Sequence, residues 1–479
     1  MHIKIISIAI IVSVSGCSLV NTTESFKDIQ LMTDEKIDSK IIWNQDEEKA
    51  KEIELAVNNL LTKTLSVSDA VQIALLNSPS LQAIYEEVGV AQADLVQAGL
   101  LQNPVFDISR RFPGKAFELD IAQDFVDLLF IPLRTKVAEN ALQATKRKVA
   151  SEIIKHAAKT KLAYYELQAH MQELEMLQAV SQAMDASALA AKKIFQAGNI
   201  IALEMQNEQN LANDARIDLA MAENDVIQER ERLNVMMGLW GKNINWKIEK
   251  RLPNPLKEDP DGTGLERLAI FERLDLAAER KELDAFGNNI NLTGYGAMIS
   301  EALINIHSET EPDGNTTRGP SILFPIPIFN QGNAQRAKAI AMFRQKAADF
   351  MQHSIEIRSE VRATYNKMRT ARKRTEFYQR EVLPLKAKIL EQTQLQYNGM
   401  FMSVFQLLQT KRDQIEAGKN FIDSLKDYWL ARTELELAVG GRIQNVPIVS
   451  MTSAQSEVLT YPDRSKNNAS MSHQHHHGE

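Results

Sequence analysis

The sequence contains a single cysteine, Cys17, among 479 residues. One thiol cannot supply a disulfide framework, nor a zinc or iron–sulfur site that needs several cysteines. Glycine (20 residues) and proline (14 residues) are scarce for this length, which excludes a collagen-like or a Gly/Pro-rich disordered chain. Basic residues do not dominate, because 55 Lys and Arg stand against 62 Asp and Glu, and the net charge of −7 argues against a nucleic-acid-binding protein.

The motifs of common enzyme classes are also missing. The chain has no nucleophile elbow, phosphate-binding loop, dinucleotide fingerprint or HExxH motif. Four histidines, His156, His170, His307 and His353, have no partner at ligand spacing along the sequence. With 44% apolar residues the chain has enough material for a hydrophobic core. We therefore expect a folded protein that is not an enzyme.

The first residues have the features of a secretory signal peptide, since Lys4 precedes a short apolar run that ends at Val14. The following Val-Ser-Gly-Cys resembles the lipobox of bacterial lipoproteins. We therefore expect cleavage after residue 16 and acylation of Cys17, palmitate included; an ordinary buried cysteine of a secreted chain is the alternative. Ser18 in place of Asp implies passage to the outer membrane. No later apolar run suffices for a transmembrane helix, so a membrane crossing would require a β-barrel.

The region around 104–125 has the hydrophobic period of strands. Apolar and acidic or polar residues alternate over residues 117–121, and a Pro-Gly pair at 113–114 divides the stretch. This pattern predicts one long β-hairpin. Before it, we expect a helix with Ser68 as its N-cap and a second helix over about 80–98.

Between residues 133 and 252 the chain lacks proline and has only three glycines, which predicts long helices. Apolar residues recur there at steps averaging about 3.4 residues, near the coiled-coil value. A helix over 133–196 would be roughly 96 Å long, which implies an elongated bundle. The chain is predicted to reverse at 196–199, with Gly198 in the left-handed conformation, and to return as a helix to about Met237.

The second half repeats this order of elements. The predicted elements are a helix over 265–288, strands within 291–307 and 321–329 around a turn at 311–315, a helix from Asn333, a reversal at 397–399 and a return to 440–441. Gly238 precedes Gly440 by 202 positions, and Gly198 precedes Gly399 by 201. Pro384 has no counterpart in the first half and should interrupt the second long helix.

We divide the chain into six segments on this basis. They are a lipoprotein signal peptide (1–16), an N-terminal periplasmic segment (17–64), a first structural repeat (65–250), a linker (251–264), a second structural repeat (265–441) and a C-terminal tail with a His-rich end (442–479). Two hairpins supply about four strands per chain. A sheet in lipid cannot leave its edges unpaired, and closed barrels need about eight strands or more, so the chain must oligomerise.

Several short motifs occur in a fixed order between residues 65 and 441. They are Leu65-Ser66-Val67-Ser68-Asp69-Ala70, Asn77-Ser78-Pro79-Ser80-Leu81, Asn103-Pro104, Phe195-Gln196-Ala197-Gly198, Glu381-Val382-Leu383-Pro384 and Tyr397-Asn398-Gly399. Together with the duplication, they resemble the TolC family of outer-membrane efflux proteins. The resemblance implies an α+β membrane protein: a homotrimer with a 12-stranded transmembrane β-barrel continued by a long periplasmic α-helical barrel. It also implies passive export, with energy supplied by an inner-membrane transporter of the RND type through a periplasmic adaptor.

In that family the two helix reversals form the periplasmic tips, where the channel is gated and the adaptor docks. The resemblance assigns this role to Gly198 and Gly399 and to the residues that follow them. Family members often have a carboxylate about six residues after the tip glycine, which forms a ring able to bind cations. Glu204 fits this position, although a solvated surface carboxylate is the alternative. Its counterpart is Gln406, so a gate with two carboxylate rings is not expected.

The chain ends with a cluster of four histidines, His473, His475, His476 and His477. Neutral imidazoles bind copper, nickel and zinc, so the tail is interpreted as a metal site, as a tolerated polar end or as a tag remnant. Residues 395–437 are also similar to family members associated with copper resistance. No resident cofactor is expected besides the lipid on Cys17.

These features predict a lipid-anchored channel in the outer membrane of a Gram-negative bacterium, with its helical part in the periplasm. Its expected cargo is metal ions, copper first. Export of drugs or other organic solutes is one alternative. A non-conducting coiled-coil lipoprotein that scaffolds the envelope is another, and a periplasmic metal-binding module is a third. The expected partners are two further copies of the chain, an adaptor, a transporter and membrane lipid, but no nucleic acid.

Overall fold

The computed structural model describes residues 20–110, 116–296, 303–324, 326 and 328–443. The described residues up to Arg442 form one compact unit. Three predicted features lie outside the described residues: the signal peptide with Cys17, the Pro-Gly pair of the first hairpin, and the C-terminal histidines.

Two helices and a short strand begin the described chain: α1 (Thr23–Ile37), α2 (Glu47–Leu61) and β1 (Thr64–Leu65). The next helix is α3 (Val67–Asn77), and its N-cap is Ser66, so the prediction of Ser68 was wrong. Asp69 N donates to Ser66 Oγ at 3.2 Å, and Ser66 N donates to the Asp69 carboxylate at 3.0 Å. This capping box satisfies two amide groups of the first turn, which Ser68 cannot do from its position inside the helix.

Three helices complete the helical part of the first half: α4 (Pro79–Gly99), α5 (Val126–Gln196) and α6 (Ala202–Met237). α5 has 71 residues and a length of about 107 Å at 1.5 Å per residue. It begins before the predicted start at residue 133, and Pro132 lies in its second turn. A proline so near the start of a long helix removes one backbone hydrogen bond without ending the helix.

The second half has the same order of elements with two interruptions. After a two-residue strand β4 (Lys247–Ile248), its helices are α7 (Leu265–Glu272), α8 (Leu274–Gly296), α9 (Asn333–Phe377), α10 (Leu383–Asn398) and α11 (Val404–Val439). Residues Tyr378–Val382 form a π-helical turn directly before Pro384. This confirms the predicted interruption, because proline lacks the amide hydrogen that a regular turn requires there.

The predicted single helix over 265–288 is wrong, because α7 ends at Glu272 and its C-cap Arg273 is extended, with a ψ of 118°. The Arg273 guanidinium pairs with Asp275 at 2.7 Å and with Glu360 at 2.5 Å. The end of α11 also fills the break, since a Cβ on Gly440 would lie 2.9 Å from the Glu272 carbonyl oxygen. Tertiary contacts therefore interrupt a segment whose local pattern is helical.

A four-stranded antiparallel sheet joins the two halves. Its strands are β2 (Val105–Arg110), β3 (Phe117–Asp124), β5 (Leu303–Thr310) and β6 (Thr316–Leu323), in the order β2-β3-β5-β6. The first hairpin and the four strands per chain are confirmed. β1 and β4 pair separately in a short parallel sheet that the sequence pattern did not predict.

The strands of the second hairpin have different bounds from those predicted. Residues 291–296 belong to α8, and β6 begins at Thr316 rather than near 321. Thr310 faces Thr316 across the hairpin, so residues 311–315 form the turn, as predicted. β5 matches β3 residue by residue, so the partner strand sets its length.

The main hydrophobic core lies where α1, α3 and α4 pack on α5, and Phe26, Trp43, Tyr85 and Ile153 are among its members. The ring of Phe26 meets that of Tyr85 edge to face, with 5.2 Å between centroids. Between α5 and α6 the buried residues are smaller: Met184, Ala212 and Ala215. Among the described residues, no helix combines the length and apolar character needed to cross a membrane.

The predicted linker 251–264 contains no helix or strand, yet it is held against α11. Trp429 Nε1 donates to the carbonyl of Pro253 at 2.7 Å, and Tyr428 Oη donates to Asp259 at 2.8 Å. Arg372 pairs with the same aspartate at 2.9 Å. Tyr428 and Trp429 thus have a packing role.

Candidate functional site: the two helix reversals

The first reversal follows α5 and has the hydrogen bonds of a Schellman motif. Gly198 N donates to Phe195 O at 2.8 Å, and Asn199 N donates to Ile194 O at 3.0 Å. Gly198 has a φ of +76°, as predicted, and a Cβ there would meet no atom within 4 Å. Glycine is therefore favoured at this position by backbone conformation alone.

The second reversal repeats this geometry one residue later than the glycines suggest. Met400 N donates to Tyr397 O at 3.0 Å, and Phe401 N donates to Gln396 O at 2.9 Å. Met400, with a φ of +63°, takes the left-handed position, whereas Gly399 has a φ of −78°. The structural counterpart of Gly198 is thus Met400, at the offset of 202, and the match of Gly198 with Gly399 was wrong.

Gly399 lies close to a neighbouring aromatic side chain. A Cβ at this position would lie 2.9 Å from the ring of Phe401. Phe401 is 81% exposed, so its ring can turn aside, and the contact favours glycine at position 399 without requiring it.

Glu204 and Gln406 occupy equivalent positions in the first turns of α6 and α11, and both are exposed. Gln406 is engaged in a capping box: Ser403 N donates to its Oε1 at 2.9 Å, and its own N donates to Ser403 Oγ at 3.3 Å. The equivalent N-cap of α6 is Ile201, which has no capping side chain. Within the described part of the chain Glu204 makes no side-chain hydrogen bond or ion pair, so its carboxylate faces solvent.

Polar contacts tie the helices together near the reversals. Ser187 Oγ donates to Glu208 at 2.6 Å, and Arg216 pairs with Asp185 at 2.8 Å, both between α5 and α6. Farther from the reversals, Lys419 of α11 pairs with Glu173 of α5 at 2.5 Å. Near the first reversal, α5 and α6 are therefore held by polar contacts and small residues, a form of packing that permits movement more readily than a large apolar core.

The sheet contains a second group of functional side chains, which the sequence analysis missed. His307 Nδ1 lies 2.6 Å from Asp120 Oδ1, and Glu118 is the next acidic residue on the same face. The expectation that His307 has no partner at ligand spacing was thus wrong, because β3 and β5 pair residues that are almost two hundred positions apart. The alternation of acidic residues in β3 is visible in the sequence and indicates a polar face. The pairing of β3 with β5, which brings His307 to that face, is not visible there.

Comparison with known proteins supplies relatives for this architecture. The family model described as outer membrane efflux protein matches residues 267–441. The outer membrane protein TolC of Vibrio cholerae serotype O1 is 22% identical over 290 residues, which cover 58% of this chain and 66% of the relative. The match therefore spans just under two thirds of that relative.

Two solved structures share the fold. The CmeC outer membrane channel of Campylobacter jejuni has a TM-score of 0.67 at 15% identity, covering 83% of this chain and 88% of the other. A structure of CusC, described in connection with transmembrane channel formation, has a TM-score of 0.65 at 16% identity, covering 78% and 92%. The predicted fold class is confirmed by this likeness.

The relatives are outer-membrane and channel proteins rather than enzymes, which confirms the expectation that the chain is not an enzyme. The predicted outer-membrane location is confirmed at the level of the family. The family match lies in the second half, and the first half repeats the same elements around equivalent helix reversals. The family match, the TolC relative and the solved structures together support a TolC-family outer membrane efflux protein.

Proposed function

We propose that the protein is the outer-membrane channel of a tripartite efflux system and that it conducts metal ions, copper first, out of the cell. The two different faces of the four-stranded sheet support the channel part of this proposal most directly. One face carries exposed apolar side chains: Phe106, Ile108, Phe117, Ile121, Ile306 and Ile322. The other face carries mainly polar ones: Asp107, Ser109, Glu118, Asp120, Asn305, His307 and Glu309. Strands that separate lipid from water have this alternation.

The edges of the sheet support an oligomer. β2 and β6 each pair with only one strand among the described residues, so each has an outer edge with free backbone groups. In lipid such groups are costly, and pairing β2 of one copy with β6 of the next satisfies them. Three copies close a barrel of twelve strands, the arrangement that the family resemblance implies.

The helix pairs supply the periplasmic part of the proposed conduit. α5 alone, at about 107 Å, is much longer than a bilayer is thick. The reversals at Gly198 and Met400 form its far end, where a periplasmic adaptor and an inner-membrane transporter of the RND type would engage. Glu204, exposed beside the first reversal, would contribute one carboxylate per copy to a ring at the constriction.

Copper is favoured as cargo by two groups of potential ligands. Four of the last seven residues are histidines, Met400 lies in the second reversal, and Met402 follows it. Met400 is 93% exposed and Met402 38% exposed, so both thioethers are accessible. Thioether sulfur is a soft ligand of the kind that Cu(I) prefers.

Conductance tests the channel. Purified protein in planar lipid bilayers should give discrete single-channel currents and should migrate as a heat-resistant trimer. A non-conducting scaffold would give neither result. A deletion strain compared with its parent distinguishes metal export from export of organic solutes. Copper that accumulates in the deletion strain while a fluorescent dye is exported normally supports a metal cargo. Dye that accumulates while cellular copper, zinc and cobalt are unchanged would make the cargo organic.

The lipid anchor is a separate part of the proposal. Acylation of Cys17 should increase the mass of the mature protein by its acyl chains and should disappear in Cys17→Ala. The matched control Ser18→Ala should keep the lipid, because it leaves the thiol in place. An unmodified Cys17 in protein purified from membranes would contradict this assignment.

A further inference from the structure

The polar face of the sheet brings together side chains that are remote in the sequence. Asp120 of β3 faces His307 of β5, and Glu118 faces Glu309. His307 Nδ1 lies 2.6 Å from Asp120 Oδ1 and 3.9 Å from Glu118 Oε1. One ligand atom from each of these three residues lies within 4.8 Å of the other two, and the three side chains are partly buried.

Contacts with Glu309 and Ser109 orient these side chains. His307 Nε2 lies 3.5 Å from the Glu309 carboxylate. Histidines that bind metal almost always donate their second N–H to a carboxylate, a carbonyl or water, which fixes the tautomer and directs the lone pair of the other nitrogen to the metal. Here Glu309 would hold the proton on Nε2, and Nδ1 would face Asp120 and Glu118. Ser109 Oγ donates to Glu118 Oε2 at 3.1 Å and orients that carboxylate.

The charge pattern of the same strands also favours a cation. Asp107 of β2 faces Asp120, and Glu118 faces Glu309, so two pairs of carboxylates occupy adjacent cross-strand positions. Like charges in facing positions raise the free energy of a sheet. A divalent cation between them lowers that repulsion.

We propose that His307 Nδ1 and the carboxylates of Asp120 and Glu118 bind a divalent transition-metal ion of borderline softness, with Zn²⁺ as the representative ion. One imidazole and two carboxylates, with water in a fourth position, form an open tetrahedral site. The site has no thiolate or thioether, so it disfavours Cu(I). Glu309 and Ser109 are positioning residues.

Only small side-chain movements are needed to admit the ion. Ligand atoms of tetrahedral zinc lie about 2.0–2.2 Å from the metal and hence about 3.3 Å from one another. The Nδ1–Oδ1 distance of 2.6 Å must open, and the Nδ1–Oε1 distance of 3.9 Å must shorten. Each of these two changes is below about 1 Å, and the Asp120 and Glu118 oxygens, which lie within 4.8 Å of each other, must approach as well; side-chain rotation provides such movements.

The site goes beyond the proposed export function, because it requires the sheet of one chain and not a pore. In a trimer it would occur three times. It is also separate from the C-terminal histidines, so its test must remove their contribution.

The test is zinc binding by the purified full-length protein in detergent, measured by calorimetry and by metal analysis after dialysis. In a background with His473, His475, His476 and His477 changed to alanine, we expect about one Zn²⁺ per chain. His307→Gln in that background should weaken binding at least tenfold, and Glu309→Gln should weaken it about tenfold because the imidazole of His307 loses the carboxylate that orients it. X-ray absorption should find one imidazole nitrogen among oxygen ligands.

The control variant is His353→Gln. His353 also lies between two carboxylates, with Nδ1 2.8 Å from Glu279 and Nε2 4.0 Å from Asp275, but these contact different ring nitrogens. Its loss should leave the zinc stoichiometry unchanged. All variants are compared after circular dichroism and size-exclusion chromatography have established equal folding and oligomeric state.

Two results would overturn the proposal: no zinc bound once the tail histidines are removed, or binding that survives His307→Gln unchanged. In either case His307 is an ion-pairing residue that links Asp120 and Glu309. Conductance of the same preparations separates this outcome from the export proposal. Protein that conducts without binding zinc contradicts only the metal site, and protein that binds zinc without conducting contradicts only the channel.

Discussion

Ser78 and Arg273 have the same backbone conformation, with φ of −71° in both and ψ of 117° and 118°. Each residue ends a short helix and precedes a longer one, at corresponding places in the two halves of the chain. Each break also receives the glycine that ends a returning helix, Gly238 in the first half and Gly440 in the second. The two halves therefore dock their helix pairs by the same backbone contact, although the side chains at the two breaks differ.

This docking contact predicts a large effect of Gly238→Ala. Gly238 has a φ of +65°, and a Cβ there would lie 2.5 Å from the Asn77 carbonyl oxygen. Gly241→Ala is the matched control, because its φ is +61° but its Cβ would meet nothing within 4 Å. We expect Gly241→Ala to cost about 1–2 kcal/mol of backbone strain and Gly238→Ala to cost clearly more. Midpoints of thermal unfolding measure the difference, and equal midpoints would contradict the docking role.

At the two helix reversals, Gly198→Ala and Met400→Gly are expected to have opposite effects on the stability of the protein. Gly198→Ala places a Cβ on a residue with positive φ and should destabilise the protein by about 1 kcal/mol. Met400→Gly removes the same strain at the equivalent position and should stabilise it by a similar amount. Thermal unfolding is again the measurement. Destabilisation by Met400→Gly would mean that the exposed methionine side chain makes a stabilising contact in the assembly.

The exposed carboxylate of Glu204 is expected to affect the ion selectivity of the channel. Glu204→Gln should reduce cation selectivity in lipid bilayers, because it removes one negative charge per chain at the proposed constriction. Gln406→Ala is the control: it breaks the capping box with Ser403 and should lower stability by about 1 kcal/mol without changing selectivity. Reversal potentials under a salt gradient give the result. An unchanged reversal potential in Glu204→Gln would leave Glu204 as a solvated surface carboxylate.

The buried imidazole of His156 is expected to make the folded protein less stable in acid. Burial lowers the pKa of His156 below 6.5, although its hydrogen bond to the Met236 carbonyl, 3.0 Å from Nε2, partly opposes the shift. The unfolded chain therefore binds a proton more readily than the folded chain, so stability is complete above about pH 6.5 and falls as the pH decreases below it. His156→Gln keeps a donor for Met236 and should flatten this dependence between pH 7 and 5. Unfolding midpoints across that range test the prediction, and an unaltered pH dependence would contradict it.

The type and order of the main elements are determined by the sequence itself. Alternation in residues 117–121 predicts β3, and the scarcity of proline and glycine after residue 133 predicts the long helices, because both patterns reflect local geometry with a fixed repeat. The reversal at Gly198 and the interruption before Pro384 follow from the backbone limits of single residues. The division into segments and the roles of Glu204, Cys17 and the C-terminal histidines remain predictions.

Only the tertiary structure decided where elements break and which side chains meet. The break at Arg273 depends on the end of α11 and on Glu360, which local pattern does not contain. The left-handed residue of the second reversal is Met400 rather than the adjacent Gly399, which single-residue preference favours. His307 meets Asp120 only through the register of β3 with β5. Local spacing sets the conformation of a segment, whereas contacts between segments remote in the chain depend on packing and strand pairing, which the whole fold determines.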